Sequence, residues 1–329
     1  MPPALDIVNP LRVPDWDERV LGHPEGTVFH TAAWARVLHE SYGYEPVYFV
    51  TYDNGALDTL IPMMDVKSFL TGRRGVSLPF TDYCRCLLPP AVSLKQVLPR
   101  LADHGVRHGW KFIEFRSDTP LPPGIPASAV FRRHTLDLTP GESALHANLR
   151  DSTRRNIRKA QKADVTVTRE ASPEALCAFY RLNCLTRKLH GVPPQPYHFF
   201  EKLREHVLAR GLGEIFLAWA EGRVVAGAVF LNFGSRAVYK YGASDRRSQH
   251  LRANNLIMWE AIRSCASRGF ATLCLGRTEP ENAGLIQFKQ GWAASEESLS
   301  YCRYDLKRRR FVSAPPAASG FQRRIFQAM

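Results

Sequence analysis

Between Arg150 and Lys162 the sequence sets cations at helical spacing. Arg154, Arg158 and Lys162 recur every four residues, and Arg155 and Lys159 make a second stripe beside them. Ile157 and Ala160 supply the apolar side of the same helix. Five like charges on one face repel each other unless an anion neutralises them, and phosphate oxygens do this through charge-assisted hydrogen bonds. The bland alternative is a solvated face that keeps the chain soluble. Another cation, Lys289, lies between Phe288 and Trp292 in what reads as a turn. Either its stem packs on Trp292 with the ammonium in water, or the ammonium faces negative charge that develops in a reaction. Tyr239 and Tyr241 flank Lys240, so strand alternation puts both tyrosines on one face and Lys240 on the other. Of the 11 histidines, only His190 and His250 fall beside these segments. Neither has a partner at metal-ligand spacing, and no Ser/Cys–His nucleophile pattern is present, so no metal is expected.

The chain that must position these groups has 329 residues and is 45% hydrophobic and 11% aromatic, enough for two domains with cores of their own. Lys and Arg outnumber Asp and Glu by 44 to 31, a net charge of +13 that favours an anionic partner. The 7 cysteines have no CxxC spacing; Cys177, Cys184, Cys265 and Cys274 sit in apolar periodic stretches as small core residues. This use of cysteine fits a reducing compartment. The N-terminus lacks the basic and apolar regions of a signal peptide, and no apolar run is long enough to cross a bilayer. The expected location is cytoplasmic, at most peripheral on the inner membrane face.

One pattern occurs twice. Tyr48–Leu57 and Ile215–Val225 each read as strand, tight turn and strand. The first turn is Asn54-Gly55, which suits a type I′ hairpin because both central residues need positive φ. After each hairpin come another strand, an irregular loop, a helix and a Gly-aromatic step into a strand. Those steps are Gly109-Trp110 and Gly269-Phe270. In the first copy, Thr31 caps a helix bearing Trp34, Val37 and Leu38. A second helix, Val97 to His108, turns Leu98, Leu101 and Val106 inward. In the second copy one helix is expected from about Ser143 to Ala163, then the strand Val165–Thr168. Ser172-Pro173-Glu174 opens a helix carrying Leu176, Phe179, Tyr180 and Asn183. Helices follow at about Phe199–Arg210, closed by Gly211, and at about Asn254–Arg268. This gives a first domain over 1–139, a second over 140–306, and a basic tail over 307–329. Phe321–Phe326 in that tail suits folding back on the first domain or lying on an anionic surface.

A meandering antiparallel sheet flanked by helices, with a long helix after the fourth strand, resembles the GNAT acyltransferase fold. The fold class is therefore α/β (α+β), as two tandem GNAT-like domains, each a mixed and mostly antiparallel sheet. The tandem resembles the Fem-like family of peptidyltransferases, which carry amino acids from aminoacyl-tRNA onto peptidoglycan precursors. Leu149–Ala160 is similar to that family's basic helix, Tyr239–Ser244 to its central strand, and Gly284–Trp292 to its terminal Phe-Lys motif. The likeness runs from about Phe29 to Asp305.

The resemblance implies an acyltransferase acting on the amine of a cell-envelope precursor, nucleotide- or lipid-linked. Such a reaction needs no enzyme nucleophile; it needs orientation, loss of the ammonium proton and oxyanion stabilisation. Lys289 and Tyr241 are the implied catalytic residues. Arg36, Arg154, Arg155, Arg158, Lys240, Arg252, Asn254 and Asn255 are the implied substrate-binding residues. Arg36 either helps hold precursor phosphate or is a plain surface arginine, and Asp82 is either an acceptor contact or a turn residue. Acetyl-CoA-dependent GNAT enzymes carry a glycine-rich loop whose N–H groups hold pyrophosphate. Here Arg252 and Asn254 stand where glycines are expected. This favours aminoacyl-tRNA as donor, with acetyl-CoA as the alternative, and makes tRNA a partner. Asn254 or Asn255 also suits a plain helix cap. A rival of another class is a non-catalytic protein that binds nucleic acid or a membrane surface through the same basic helix.

Overall fold

The computed structural model describes residues 5–68 and 72–313. The chain forms two compact units, discontinuous in sequence: unit 1 runs to Arg132 and resumes at Ser298, and unit 2 runs from Arg133 to Glu297. The chain leaves unit 1 within one strand and returns within another. The sequence reading instead ran its second domain through 306.

In unit 1, β1 (Asp6–Val8), α1 (Trp16–Leu21) and α2 (Ala32–Tyr42) precede the hairpin of β2 (Glu45–Asp53) and β3 (Ala56–Ser68). Thr31 caps α2 as expected, accepting from the Trp34 N–H at 3.1 Å. The hairpin turns on Asn54 and Gly55, with φ of 48° and 83°. β4 (Gly72–Val76) follows antiparallel to β3. α3 (Leu94–Arg107) then crosses over to β5 (Phe112–Ser117), which lies parallel to β4. The strand order is β1-β2-β3-β4-β5 and then a strand from the far end of the chain. Trp110 lies flat against Gly75, where a Cβ would come within 2.2 Å of its ring. Phe49, Met63, Leu101, Ile113 and Phe115 complete this core. Val106 is 54% exposed, not inward as expected. Buried Leu101 and Gly105 are four residues apart, and one step further rotates Val106 out.

β6 (Ala129–Asp137) leads into unit 2. The single helix expected over 143–163 is two, α4 (Glu142–Ala147) and α5 (Asp151–Lys162). The break lies at Arg150, whose backbone is extended and whose N–H donates to Gly291 O at 3.1 Å. After β7 (Thr166–Glu170) come α6 (Pro173–Leu189), capped by Ser172, and α7 (Tyr197–His206). A short 3-10 turn, Leu208–Arg210, ends at Gly211. β8 (Gly213–Ala220), β9 (Arg223–Phe233) and β10 (Arg236–Ser244) form the meander. α8 (Ala253–Ser267), β11 (Thr272–Thr278), α9 (Ala283–Gln290) and β12 (Ser295–Asp305) follow. The strand order in unit 2 is β6-β11-β10-β9-β8-β7.

The repeat holds at the level of single residues. The β8–β9 turn, Glu221-Gly222, has φ of 50° and 72°, like Asn54-Gly55. Both hairpins carry a register shift two residues before the turn, at Thr51/Tyr52 and Ala218/Trp219. Each unit also has a parallel pair, β4 with β5 and β10 with β11, joined by a crossover helix.

β12 ends in unit 1, antiparallel to β5 from Ser300 against Ser117 to Asp305 against Phe112. The Lys307–Arg310 run is not the start of a separate tail. It makes the turn into β13 (Arg310–Val312), which pairs with β12. Phe321–Phe326 lies outside the described residues. Among the described residues no helix is long and apolar enough to cross a membrane.

Candidate functional site

The site is built where β10 and β11 part. The two strands pair from Arg236–Thr272 to Val238–Cys274 and no further. Beyond that, β10 runs to Ser244 beside β9, and β11 continues to Thr278. Parallel strands that separate this way open a cleft at their C-terminal ends, with backbone groups on each side released from the ladder.

A bulge in β10 decides what faces this opening. Tyr239 pairs with Phe230 and Tyr241 with Val229, leaving Lys240 as the extra residue. The extra residue reverses the alternation, so the two tyrosines do not share a face, contrary to the strand-period expectation. Tyr239 packs with Phe230 and the α8-side core. Tyr241 packs edge-on against Phe200 at 5.3 Å, on the α7 side. Burial pushes the Tyr239 phenol up to about 12, so it stays protonated at neutral pH. Its hydroxyl lies over Gly242, where a Cβ would come within 1.7 Å. Lys240 Nζ stands 5.0 Å above the Tyr241 ring.

Across the split, Lys289 is not in a turn. It is in α9, whose first turn is capped by Asn282 accepting from the Leu285 N–H at 3.1 Å. Lys289 is 2% exposed. Its Nζ donates to Gly276 O at 2.8 Å and Arg277 O at 3.2 Å, the carbonyls of β11 just past the parting point. A buried ammonium held by backbone carbonyls sets positive potential at the mouth of the opening. Trp292 lies 1% exposed in the unit 2 core, with Phe288 packed against it.

The start of α8 forms the next wall. Its cap is Arg252, not Asn254 or Asn255, and Arg252 has φ of 58°. The backbone therefore keeps the left-handed conformation that glycine normally supplies, while an arginine side chain projects from it. Asn254 Nδ2 donates to Ser244 Oγ at 3.2 Å, tying the helix start to the end of β10. Asn255 is buried, and its N–H donates to Arg252 O at 2.9 Å.

The basic helix α5 packs on α8, with Ile157 and Ala160 buried as expected. Its charges differ in kind. Arg154 is half-buried and engaged, bonded to Asp151 and, through Nη1, to Ala147 O at 2.8 Å. It braces α5 against the end of α4. Arg155, Arg158, Lys159 and Lys162 are exposed and make no ion pair among the described residues. The uncompensated stripe is thus four cations, not five. Arg36 stands in unit 1 on α2, 3.9 Å from Glu40. Asp82, also in unit 1, accepts through its backbone carbonyl from the Tyr301 hydroxyl.

The buried thiols of Cys86, Cys265 and Cys302 are not poised nucleophiles. All seven cysteines are free. Burial pushes Cys86 and Cys302 up to about 12 and Cys265 up to about 11.

On α6, Asn183 was expected beside Leu176, Phe179 and Tyr180, and neither it nor Arg187 was assigned to a site. The signal was there: Leu176, Phe179 and Leu182 mark the buried face, and Asn183 interrupts it, with Arg187 four residues on.

The family model described as an acetyltransferase (GNAT) domain matches residues 147–290. Over 276 residues the chain is 21% identical to the UDP-N-acetylmuramoylpentapeptide-lysine N(6)-alanyltransferase of Weissella viridescens, covering 74% of this chain and 77% of that protein. Among solved structures, FemX superposes with a TM-score of 0.73 at 15% identity, over 89% of this chain and 96% of that one. A tandem GNAT protein from the clavulanic acid biosynthesis pathway gives 0.58 at 8% identity, over 92% and 98%.

Proposed function

We propose that the chain is a Fem-like acyltransferase of the GNAT fold, and that it transfers an aminoacyl group from aminoacyl-tRNA to an amine of a nucleotide-linked peptidoglycan precursor. The observation that carries the donor assignment is Arg252. A side chain projects from the α8 cap, where a nucleotide cofactor's pyrophosphate needs bare backbone. The exposed cations Arg155, Arg158, Lys159 and Lys162 suit the phosphates of a tRNA backbone. The acceptor assignment follows the alanyltransferase of Weissella viridescens, whose name gives a UDP-linked muramoyl pentapeptide and its lysine.

In the reaction, the deprotonated acceptor amine attacks the ester carbonyl of the donor. A C–N bond forms and a tetrahedral oxyanion develops. Collapse breaks the C–O bond, the tRNA 3′ oxygen leaves with a proton, and an amide remains. The positive potential around Lys289 stabilises the oxyanion, and Tyr241 and Lys240 line the acyl group's path. The reading puts the enzyme in the cytoplasm, where a nucleotide-linked precursor is soluble.

One observation favours a second donor: the matched domain is that of acetyltransferases. Acetyl-CoA is therefore the competing reading. The deciding experiment pairs a transfer assay, using aminoacyl-tRNA and UDP-linked muramoyl pentapeptide, with thermal shifts in acetyl-CoA and coenzyme A. Transfer without a thermal shift supports the tRNA donor. Stabilisation by either CoA species, with no transfer from tRNA, overturns it.

A further inference from the structure

Two shielded donors on α6 meet no acceptor in the protein. Asn183 is 4% exposed, and its Nδ2 makes no hydrogen bond. Arg187 follows at i+4 on the same helix face, and its Nε is likewise shielded and unbonded. Buried N–H groups are almost always paired, so two neighbours on one face call for an explanation.

Their position in unit 2 supplies one. α6 lies against β10, and the Thr186 hydroxyl, one residue before Arg187, accepts from the Ser244 N–H at 3.1 Å. The donors therefore sit beside the end of β10, where the strand has parted from β11. This is the same face of the sheet on which Tyr241 packs against Phe199 and Phe200. Leucine at 183 would pack on that face at no polar cost, as Leu176 and Leu182 do.

We infer that Asn183 and Arg187 form a subsite that binds an oxyanion of the substrate, a carboxylate or a phosphate. An amide N–H and a guanidinium N–H four residues apart on one helix face match two oxygens of such a group. The guanidinium charge selects an anion over a neutral carbonyl. The proposal rests on the acyltransferase reading, and deepens it by assigning residues to substrate recognition.

The test uses the full chain and calorimetric titration with three probes. Uridine diphosphate supplies phosphate. The tripeptide L-lysyl-D-alanyl-D-alanine supplies a carboxylate, and its C-terminal amide removes it. The variants are Asn183→Leu and Arg187→Gln. We expect one oxyanion probe to bind, and both variants to weaken it by about 10-fold or more. Binding of the acid but not the amide assigns a carboxylate, and binding of uridine diphosphate assigns a phosphate. Asn183→Leu without ligand should melt at the same temperature as wild type or higher, which separates lost binding from lost fold. Wild-type protein that binds none of the probes, or variants that bind as wild type does, overturns the subsite. Failure of the acyltransferase reading looks different: no transfer from either donor, with oxyanion binding and its loss in the variants intact.

Discussion

Lys289 and Gly276 are joined by a 2.8 Å hydrogen bond from the ammonium to a backbone carbonyl, inside the protein and at the point where β11 has left its parallel neighbour. The bond, with its companion to Arg277 O, gives the lysine two duties at once. It closes off carbonyls that the strand ladder has released, and it fixes a charge beside the site.

Lys289→Met removes the donor and strands both carbonyls in a buried place. Stability should fall by about 1–3 kcal/mol, read as a lower urea midpoint with unchanged slope. Transfer measured well below the midpoint should fall as well. A variant as stable as wild type would mean that the bonds to Gly276 and Arg277 carry no weight.

Gly242→Ala sets a methyl against the Tyr239 hydroxyl. Overpacking of this kind costs about 1–3 kcal/mol. The cost should shrink when Tyr239→Leu is made in the same chain, because the obstructing oxygen and ring are gone. A double-mutant cycle on urea midpoints measures this coupling; additive losses would show that the two side chains do not interact.

The stripe on α5 should divide by function. Arg155→Glu with Arg158→Glu leaves the helix packing untouched, and should weaken binding of a tRNA probe by about 10-fold at low salt. The slope of binding against salt should flatten in parallel. Arg154→Gln should instead lower the melting temperature, because Arg154 bonds to the end of α4. Equal tRNA binding by the double variant would remove the phosphate role from this face.

Acid should open unit 1 first. Desolvation holds His30 down to about 4, and its neutral ring is locked by the Thr27 N–H donating to Nδ1 and by Nε2 donating to Arg85 O. Burial, then the neighbouring His108, lowers His104 to about 4 as well. The unfolded chain protonates both near 6.5, so it binds more protons than the folded one below that pH. Stability is therefore full above about 6.5 and is lost as pH falls toward about 4. Hydrogen exchange followed by peptide mass should report faster opening around His30 and His104 than in unit 2 over this window. Uniform opening of both units would contradict the assignment.

Much of this was legible in the chain. Asn54-Gly55, the Thr31 and Ser172 caps and the two Gly-aromatic steps announce themselves through local chemistry, and each sits where that chemistry requires. What was hidden depends on partners distant in sequence. The bulge at Lys240 is a matter of register with β9, and nothing in Tyr-Lys-Tyr signals the extra residue. Lys289, between Phe288 and Trp292, read as a turn residue; burial against β11 makes the segment a helix. Arg154 could not be told from Arg158 until the end of α4 was seen to accept from it. Asn183 was visible as a polar residue among apolar ones, but only packing against β10 gives that oddity a place.

The return of β12 to unit 1 sets an order of assembly. During synthesis, unit 2 is contiguous from Arg133 to Glu297 and has all its strands once β11 has emerged. Unit 1 begins first but stays open along β5 until Asp305 has left the ribosome. The earlier half of the chain is thus the later to close, reversing the usual progression from N-terminus to C-terminus. Until then β5 presents an unpaired edge, the kind of surface that draws chaperones or, without them, another nascent chain.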